Sequence, residues 1–148
     1  MIVLGTYFVQ SSHITLEPII AGVVSGILSS TILFVNSFPD FDADKKYGRK
    51  TLVILLGKQK AASALWIFPM IIHGIILASV IAGIFPMIAL ITFVTIPMAI
   101  KSGISLKTNY DDTSKMVSIM QGFVTYGRIT GVLFVIAFVF DILLKNLQ

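Results

Sequence analysis

The sequence predicts an all-α, polytopic membrane helix bundle of about four transmembrane helices plus the tail of a fifth, in one transmembrane domain over residues 1–148. Three observations carry this. Of the 148 residues, 56% are hydrophobic and 12% charged, with mean hydropathy +0.95, whereas about a quarter of a soluble domain's residues are charged. A soluble core of this size cannot hide so much apolar surface. The uncharged runs come in lengths that match a hydrocarbon core of about 30 Å. Finally, nine of the eleven Lys and Arg residues fall within residues 45–60 and 101–115, and apolar spans flank both stretches.

Taken in order, residues 1–10 are apolar but too few to cross a bilayer, and they read as the end of a helix. They lack the charged n-region and cleavage site of a signal peptide. From Leu16 to Val35 the only charge is Glu17, which gives a first span over 16–35. A polar loop follows over 36–60. Ala61 to Ile100 contains no charged residue. At 1.5 Å per residue that run is about 60 Å of helix, twice the hydrocarbon core, so it must fold as a hairpin. Its spans are roughly 61–81 and 85–101, with the turn in Ala82-Gly83-Ile84-Phe85-Pro86, where Gly and Pro punctuate together. A second polar loop covers 101–116, and the last span runs over 117–140. Both charged loops then share one side, which the positive-inside bias assigns to the cytoplasm of a multi-pass cell-membrane protein. Gly22 with Gly26, and Gly127 with Gly131, have the spacing of close helix packing.

Composition also excludes chemistry. The chain has no cysteine and only two histidines, His13 and His73, without ligand spacing, so disulfide, thiol and zinc chemistry are not expected. The basic residues flank apolar spans, as topology requires, and do not indicate nucleic-acid binding.

The chemistry-bearing residues lie in Asn36-Ser-Phe-Pro-Asp-Phe-Asp-Ala-Asp-Lys-Lys-Tyr-Gly-Arg-Lys-Thr51. Asn36, Asp40 and Asp44 recur every fourth residue, so on one helix they stack on one face. Pro39 suits the first turn of a helix capped by Ser37, and Gly48 suits its end. Asp42 points off that face, toward solvent. Two carboxylates a turn apart repel unless a cation sits between them. Mg²⁺ fits, being held typically by one or two carboxylates plus substrate phosphates. Nearby Lys45, Arg49 and Lys50 would take the remaining phosphate charge.

Asn36-x-x-x-Asp40-x-x-x-Asp44, followed by Gly48-Arg49-Lys50-Thr51-Leu52 and Leu56-Gly57, resembles the second aspartate-rich motif of the UbiA superfamily of intramembrane prenyltransferases. The opening Leu4-Gly5-Thr6-Tyr7-Phe8-Val9-Gln10 is similar to the segment before that motif in the dihydroxynaphthoate (menaquinone) branch. The resemblance is specific over residues 1–60 and rests on helix count and loop placement beyond. It implies a nine-helix bundle in which two aspartate-rich loops hold Mg²⁺ and a prenyl diphosphate. Loss of diphosphate leaves an allylic cation, which an aromatic acceptor attacks. Carried onto this chain, Asp40 and Asp44 are the catalytic metal ligands, with Asn36 a metal and diphosphate ligand, and Lys45, Arg49 and Lys50 are diphosphate contacts. The family's first aspartate-rich motif has no counterpart here, since Asp111 and Asp112 are adjacent and follow the motif. The resemblance therefore covers the family's C-terminal half. It implies that this polypeptide alone is inactive, and that either a separate N-terminal half completes the site or the chain is a fragment from a split or truncated gene.

The same residues allow a rival reading: a non-enzymatic four-helix transporter or ion-binding subunit using Asp40, Asp44 and Arg128, or a degenerate homologue without activity. A transporter places its carboxylates near the bilayer midplane, whereas these lie at a span's end. Arg128, inside the last span, needs either a partner within the bundle or a function. His73 reads as a hydrogen-bonded packing residue. Tyr7 and Gln10 are open between an acceptor pocket and a helix-end position, and Asn109–Asp112 read as a solvated loop.

Overall fold

The computed structural model describes residues 2–147. Helix α1 (Ile2–Ser11) packs on α2 (Leu16–Asn36), which is followed by the short α3 (Phe41–Lys46), α4 (Leu52–Leu56) and α5 (Lys58–Ala64). Then come α6 (Ile67–Ile81), a 3-10 helix (Met87–Thr95) running straight into α7 (Ile96–Asn109), and the long α8 (Thr113–Asn146). Among the described residues four segments are long and apolar enough to cross a membrane: Leu16–Asn36, Lys58–Ile81, Met87–Asn109 and Thr113–Asn146. The chain is an all-α membrane bundle.

The four crossings close into a ring. α2 contacts α6, α6 contacts the 3-10 helix, that crossing contacts α8, and α8 returns to α2. Val24, Val35, Leu65, Ile72, Ile76, Leu106 and Phe123 lie wholly inside. Large aliphatic side chains such as Met70, Ile81, Val94 and Val132 point outward, the distribution expected where lipid replaces water as solvent.

A polar seam crosses this apolar interior. His73 on α6 places Nδ1 2.9 Å from the Pro69 carbonyl and Nε2 3.3 Å from the Thr92 carbonyl. Thr92 and Thr95 donate their hydroxyls to the carbonyls three residues back, at 2.8 and 2.7 Å. Thr130 on α8 lies 2.8 Å from the Thr95 hydroxyl. In lipid such groups must find partners within the protein, and here they tie α6, the 3-10 helix and α8 together.

Packing glycines are only partly those the spacing singled out. A Cβ on Gly22 would meet Leu4 at 3.7 Å and one on Gly127 would meet Ile32 at 3.2 Å, but Gly26 and Gly131 face open space. A Cβ would be most crowded at Gly103, where it would lie 2.8 Å from the Trp66 ring, and at Gly122, where it would lie 2.5 Å from the Ser102 hydroxyl. Both are contacts across sequence that no local spacing announces.

The charged loops are more helical than expected. Residues 101–116 contain only the short break at 110–112, because α7 continues to Asn109 and α8 starts at Thr113 with Asp112 as its cap. The Lys58 ammonium lies 3.6 Å from Asp42 and 3.3 Å from Asp111, so both charged loops sit at one end of the bundle.

Candidate functional site

Asn36, Asp40 and Asp44 do not lie on one helix. α2 stops at Asn36, residues 37–40 form turns, and α3 starts at Phe41. The cause is Pro39, which has no N–H to give the carbonyl four residues back. That carbonyl, on Val35, is taken instead by the Phe38 amide at 3.1 Å, while the Ser37 amide bonds the Phe34 carbonyl at 3.2 Å. The buried Phe38 ring, 5.9 Å edge-on from Phe34, anchors the turn. Ser37 therefore closes α2, its hydroxyl on the Leu33 carbonyl at 3.0 Å, and does not cap α3. Asp40 holds the cap position but makes no side-chain capping bond, which leaves its carboxylate available.

The turn nevertheless brings the three oxygen-bearing residues to one place. Asn36, Asp40 and Asp44 line a cleft of about 440 Å³ together with Arg49, Lys50 and Thr51, over a floor made by Leu33 and Ser37. What folds the basic arm back is the end of α3. Gly48, at φ 73°, takes the left-handed conformation natural to glycine. Its amide bonds the Lys45 carbonyl at 3.2 Å and the Arg49 amide bonds the Asp44 carbonyl at 2.9 Å, the paired bonds of a Schellman motif. Arg49 is thereby set over Asp44, its guanidinium 3.0 Å from the carboxylate. Thr51 then caps α4 by accepting from the Ile54 amide at 3.2 Å.

Lys45 departs from expectation. It lies one residue, about 100°, round α3 from Asp44, and its ammonium sits 5.8 Å over the Phe41 ring and not in the cleft. Asp42 is exposed, as its register required, yet it faces Lys58. Lys58 also stands 5.2 Å over Phe41. Sequence reasoning passed over this lysine, because its two partners are 16 and 53 positions away.

The donor set suits an oxygen-loving divalent cation: two carboxylates and an amide, with no sulfur or imidazole. Asp40 has no ion-pair partner among the described residues. No three His, Asp or Glu side chains gather among the described residues into a cage for a metal.

Elsewhere, Tyr7 and Gln10 line a largely apolar groove of about 570 Å³ between α1, α2 and α8, with Ser25, Val135 and Val139 among its walls. The Tyr7 hydroxyl accepts from Thr15 at 3.3 Å. Arg128, left open between a partner within the bundle and a function, has no ion pair or side-chain hydrogen bond among the described residues and is exposed on α8.

An integral-membrane helix bundle with an acid-and-base cleft at one end is the class that this fold and site define. The model of the UbiA prenyltransferase family matches residues 1–126, and the chain belongs to that family. It is 33% identical over 81 residues to a 1,4-dihydroxy-2-naphthoate octaprenyltransferase of Bacillus subtilis (strain 168), which covers 49% of this chain and 26% of that protein. It is 38% identical over 56 residues to the Haemophilus influenzae (strain ATCC 51907 / DSM 11121 / KW20 / Rd) protein of the same name, covering 38% of this chain and 18% of the relative. The matched stretches thus span about a quarter or less of these relatives. No solved structure matches the chain.

Proposed function

We propose that this chain contributes the diphosphate-binding end of a prenyltransferase that moves a polyprenyl group from its diphosphate to an aromatic acceptor of the dihydroxynaphthoate type, in lipoquinone synthesis. The observation that carries the reading is the cleft itself. Asn36, Asp40 and Asp44 share it with Arg49 and Lys50, at one end of a bundle of four apolar crossings. Family membership and the two naphthoate prenyltransferase relatives support the reaction class.

In this reading Arg49 and Lys50 hold the diphosphate oxygens, Arg49 through its planar fork. Asp40, Asp44 and Asn36 would hold a Mg²⁺, which when bound would supply positive charge to the diphosphate leaving group. The prenyl chain would extend from the cleft along the apolar helices, toward the groove between α1, α2 and α8 whose wall on α2 ends at Ser25, where the helices exclude the water that would quench an allylic cation. The acceptor's electron-rich ring carbon forms the new C–C bond as the C–O bond to diphosphate breaks, and the ring then loses a proton. The charged end faces the cytoplasm by the positive-inside bias. N-terminal helices carrying the other aspartate-rich motif, on the same polypeptide or on another, would supply the second half of the metal shell.

The test is binding of geranyl diphosphate to the chain in lipid nanodiscs, with and without Mg²⁺, followed by prenyl transfer after co-expression with the N-terminal helices of a relative. Mg²⁺-dependent binding lost in Asp40→Ala and Asp44→Ala is expected. Binding and transfer that survive both substitutions refute the assignment.

A further inference from the structure

Lys58 starts from a firmly packed element and reaches one that is not. It opens α5, at the head of the second crossing. Gly57, at φ 78°, turns the chain out of α4 there, and Ala61 and Ala62 in the following turn lie wholly inside. α3 is the opposite case. It has six residues, buries none of them, and has α4 as its main helix neighbour. Phe41, half-buried, is the side chain by which it packs against the core.

From its fixed base the Lys58 ammonium meets three groups. It lies 5.2 Å over the Phe41 ring, 3.6 Å from the Asp42 carboxylate and 3.3 Å from that of Asp111, in the turn between α7 and α8. An exposed ion pair alone contributes little, whereas one cation shared in a network contributes more. The lysine is the sheltered member, with its side chain 22% exposed against 86% for Asp42 and 72% for Asp111. Asp42 is the weakest tie, being both the longer and the more exposed, and without it Phe41 and Asp111 still hold the ammonium.

The same geometry keeps Lys58 out of the cleft. Asp42 and Asp44 are two residues apart, about 200° round α3, so Lys58 meets the reverse side of the helix from Asp44. It is not among the residues lining the space around Asn36, Asp40 and Asp44.

We infer that Lys58 is a positioning residue for the diphosphate cleft. It pins α3 through Phe41, ties it through Asp111 to the α7–α8 turn, and so holds the Asp40 and Asp44 carboxylates at one place on the bundle. This rests on the transferase reading and adds to it a residue that touches neither metal nor substrate. Mg²⁺ demands near-ideal octahedral geometry, so carboxylates on a six-residue helix serve it only if that helix is held, and contacts behind metal ligands are what orient them.

The experiment uses the whole chain in phosphatidylcholine nanodiscs. The chain has no cysteine, so spin labels on Ala43→Cys in α3 and Thr113→Cys at the start of α8 report the distance between those two elements alone. Titration of the unlabelled chain with geranyl diphosphate and Mg²⁺ reports the cleft. K58M removes the charge and keeps most of the length. It should broaden the distance distribution and lower the affinity about threefold to tenfold, with the unfolding midpoint close to wild type. K58R should keep most of both, since a guanidinium serves the same ring and carboxylates. D111N should broaden the distribution with a smaller loss of affinity, and it carries the test if K58M does not fold. Wild-type affinity in K58M, or in D111N where K58M does not fold, overturns the inference. So does lost affinity with an unchanged distance distribution, which would make Lys58 a direct contact of the diphosphate. K58R as damaging as K58M also overturns it, because the tie would then not be the charge. A wild-type chain without Mg²⁺-dependent binding, whose distances still broaden in K58M, refutes the transferase reading and leaves the tie between α3 and the α7–α8 turn.

Discussion

Gly48 is where the cleft can be opened without touching any group that lines it. Its φ is +73°, and a Cβ built there meets nothing within 4 Å. The cost of Gly48→Ala is therefore conformational and not steric, about 1–2 kcal/mol for an L-residue held in the left-handed region. α3 has only six residues and few contacts to hold it, so the strain is relieved by losing the Schellman bonds. The Arg49 amide then leaves the Asp44 carbonyl, and its guanidinium leaves the Asp44 carboxylate. A penalty of this size lowers the closed population about 5- to 30-fold, and Mg²⁺-dependent affinity for geranyl diphosphate should fall by the same factor. Gly48→Asn should lose much less, since Asn tolerates this conformation, and Gly48→Val should lose more. Titration in nanodiscs reads the affinity, and hydrogen exchange at the Gly48 and Arg49 amides reads the bonds. If Ala and Val variants bind as wild type, or Asn is as damaging as Val, the argument that backbone handedness positions Arg49 is wrong.

Other substitutions test other links. Asp40→Ala and Asp44→Ala should each weaken Mg²⁺-dependent diphosphate binding roughly tenfold to a hundredfold, while Asp42→Ala leaves it unchanged; equal losses at all three would show a general charge effect. Gly103→Ala drives a Cβ to within 2.8 Å of Trp66 and should cost about 1–3 kcal/mol of stability, measured by unfolding in mixed micelles and recovered in a Trp66→Leu background. Tyr126 is wholly buried and its hydroxyl has no hydrogen-bond partner among the described residues, so Tyr126→Phe should stabilise the bundle by about 1 kcal/mol; a loss of stability would reveal an unseen partner. The Asp112 carboxyl is held below the usual carboxylate range, chiefly by its bond to the Ser114 hydroxyl. A depressed folded-state pKa gives stability that is present above the unfolded value and lost as pH falls through the folded one. Exchange at the Ser114 amide should thus stay slow at neutral pH, rise on acidification below about pH 4, and be fast at all pH in Asp112→Ala.

The four crossings were legible because the apolar runs are of bilayer length and nearly free of charge, and lipid leaves the chain no other way to satisfy its backbone. Gly48 was legible as a helix stop for the same local reason that it works as one. The route by which Asn36, Asp40 and Asp44 meet was not. A period of four suggests one continuous helix, and the missing N–H of Pro39 sits inside that period. Which effect governs depends on where the Phe38 side chain finds its burial, and that is a tertiary fact. Lys45 was misplaced for a related reason: proximity in sequence to Asp44 says nothing about the side of a six-residue helix. Lys58, Gly103 and Gly122 act on partners far along the chain, and no spacing rule reaches them.

The 3-10 stretch from Met87 to Thr95 also sets a length. Nine residues rising about 2.0 Å each extend some 18 Å, against about 14 Å for an α-helix of the same residues. The third crossing is therefore about 4 Å longer than its residue count suggests, a margin comparable to the difference in thickness between cellular membranes. Rewinding that stretch to α-helix would shorten the crossing like a piston and draw Thr92 and Thr95 out of line with His73 and Thr130. The Thr130–Thr95 contact thus joins α8 to the third crossing at the register that this longer helix gives it.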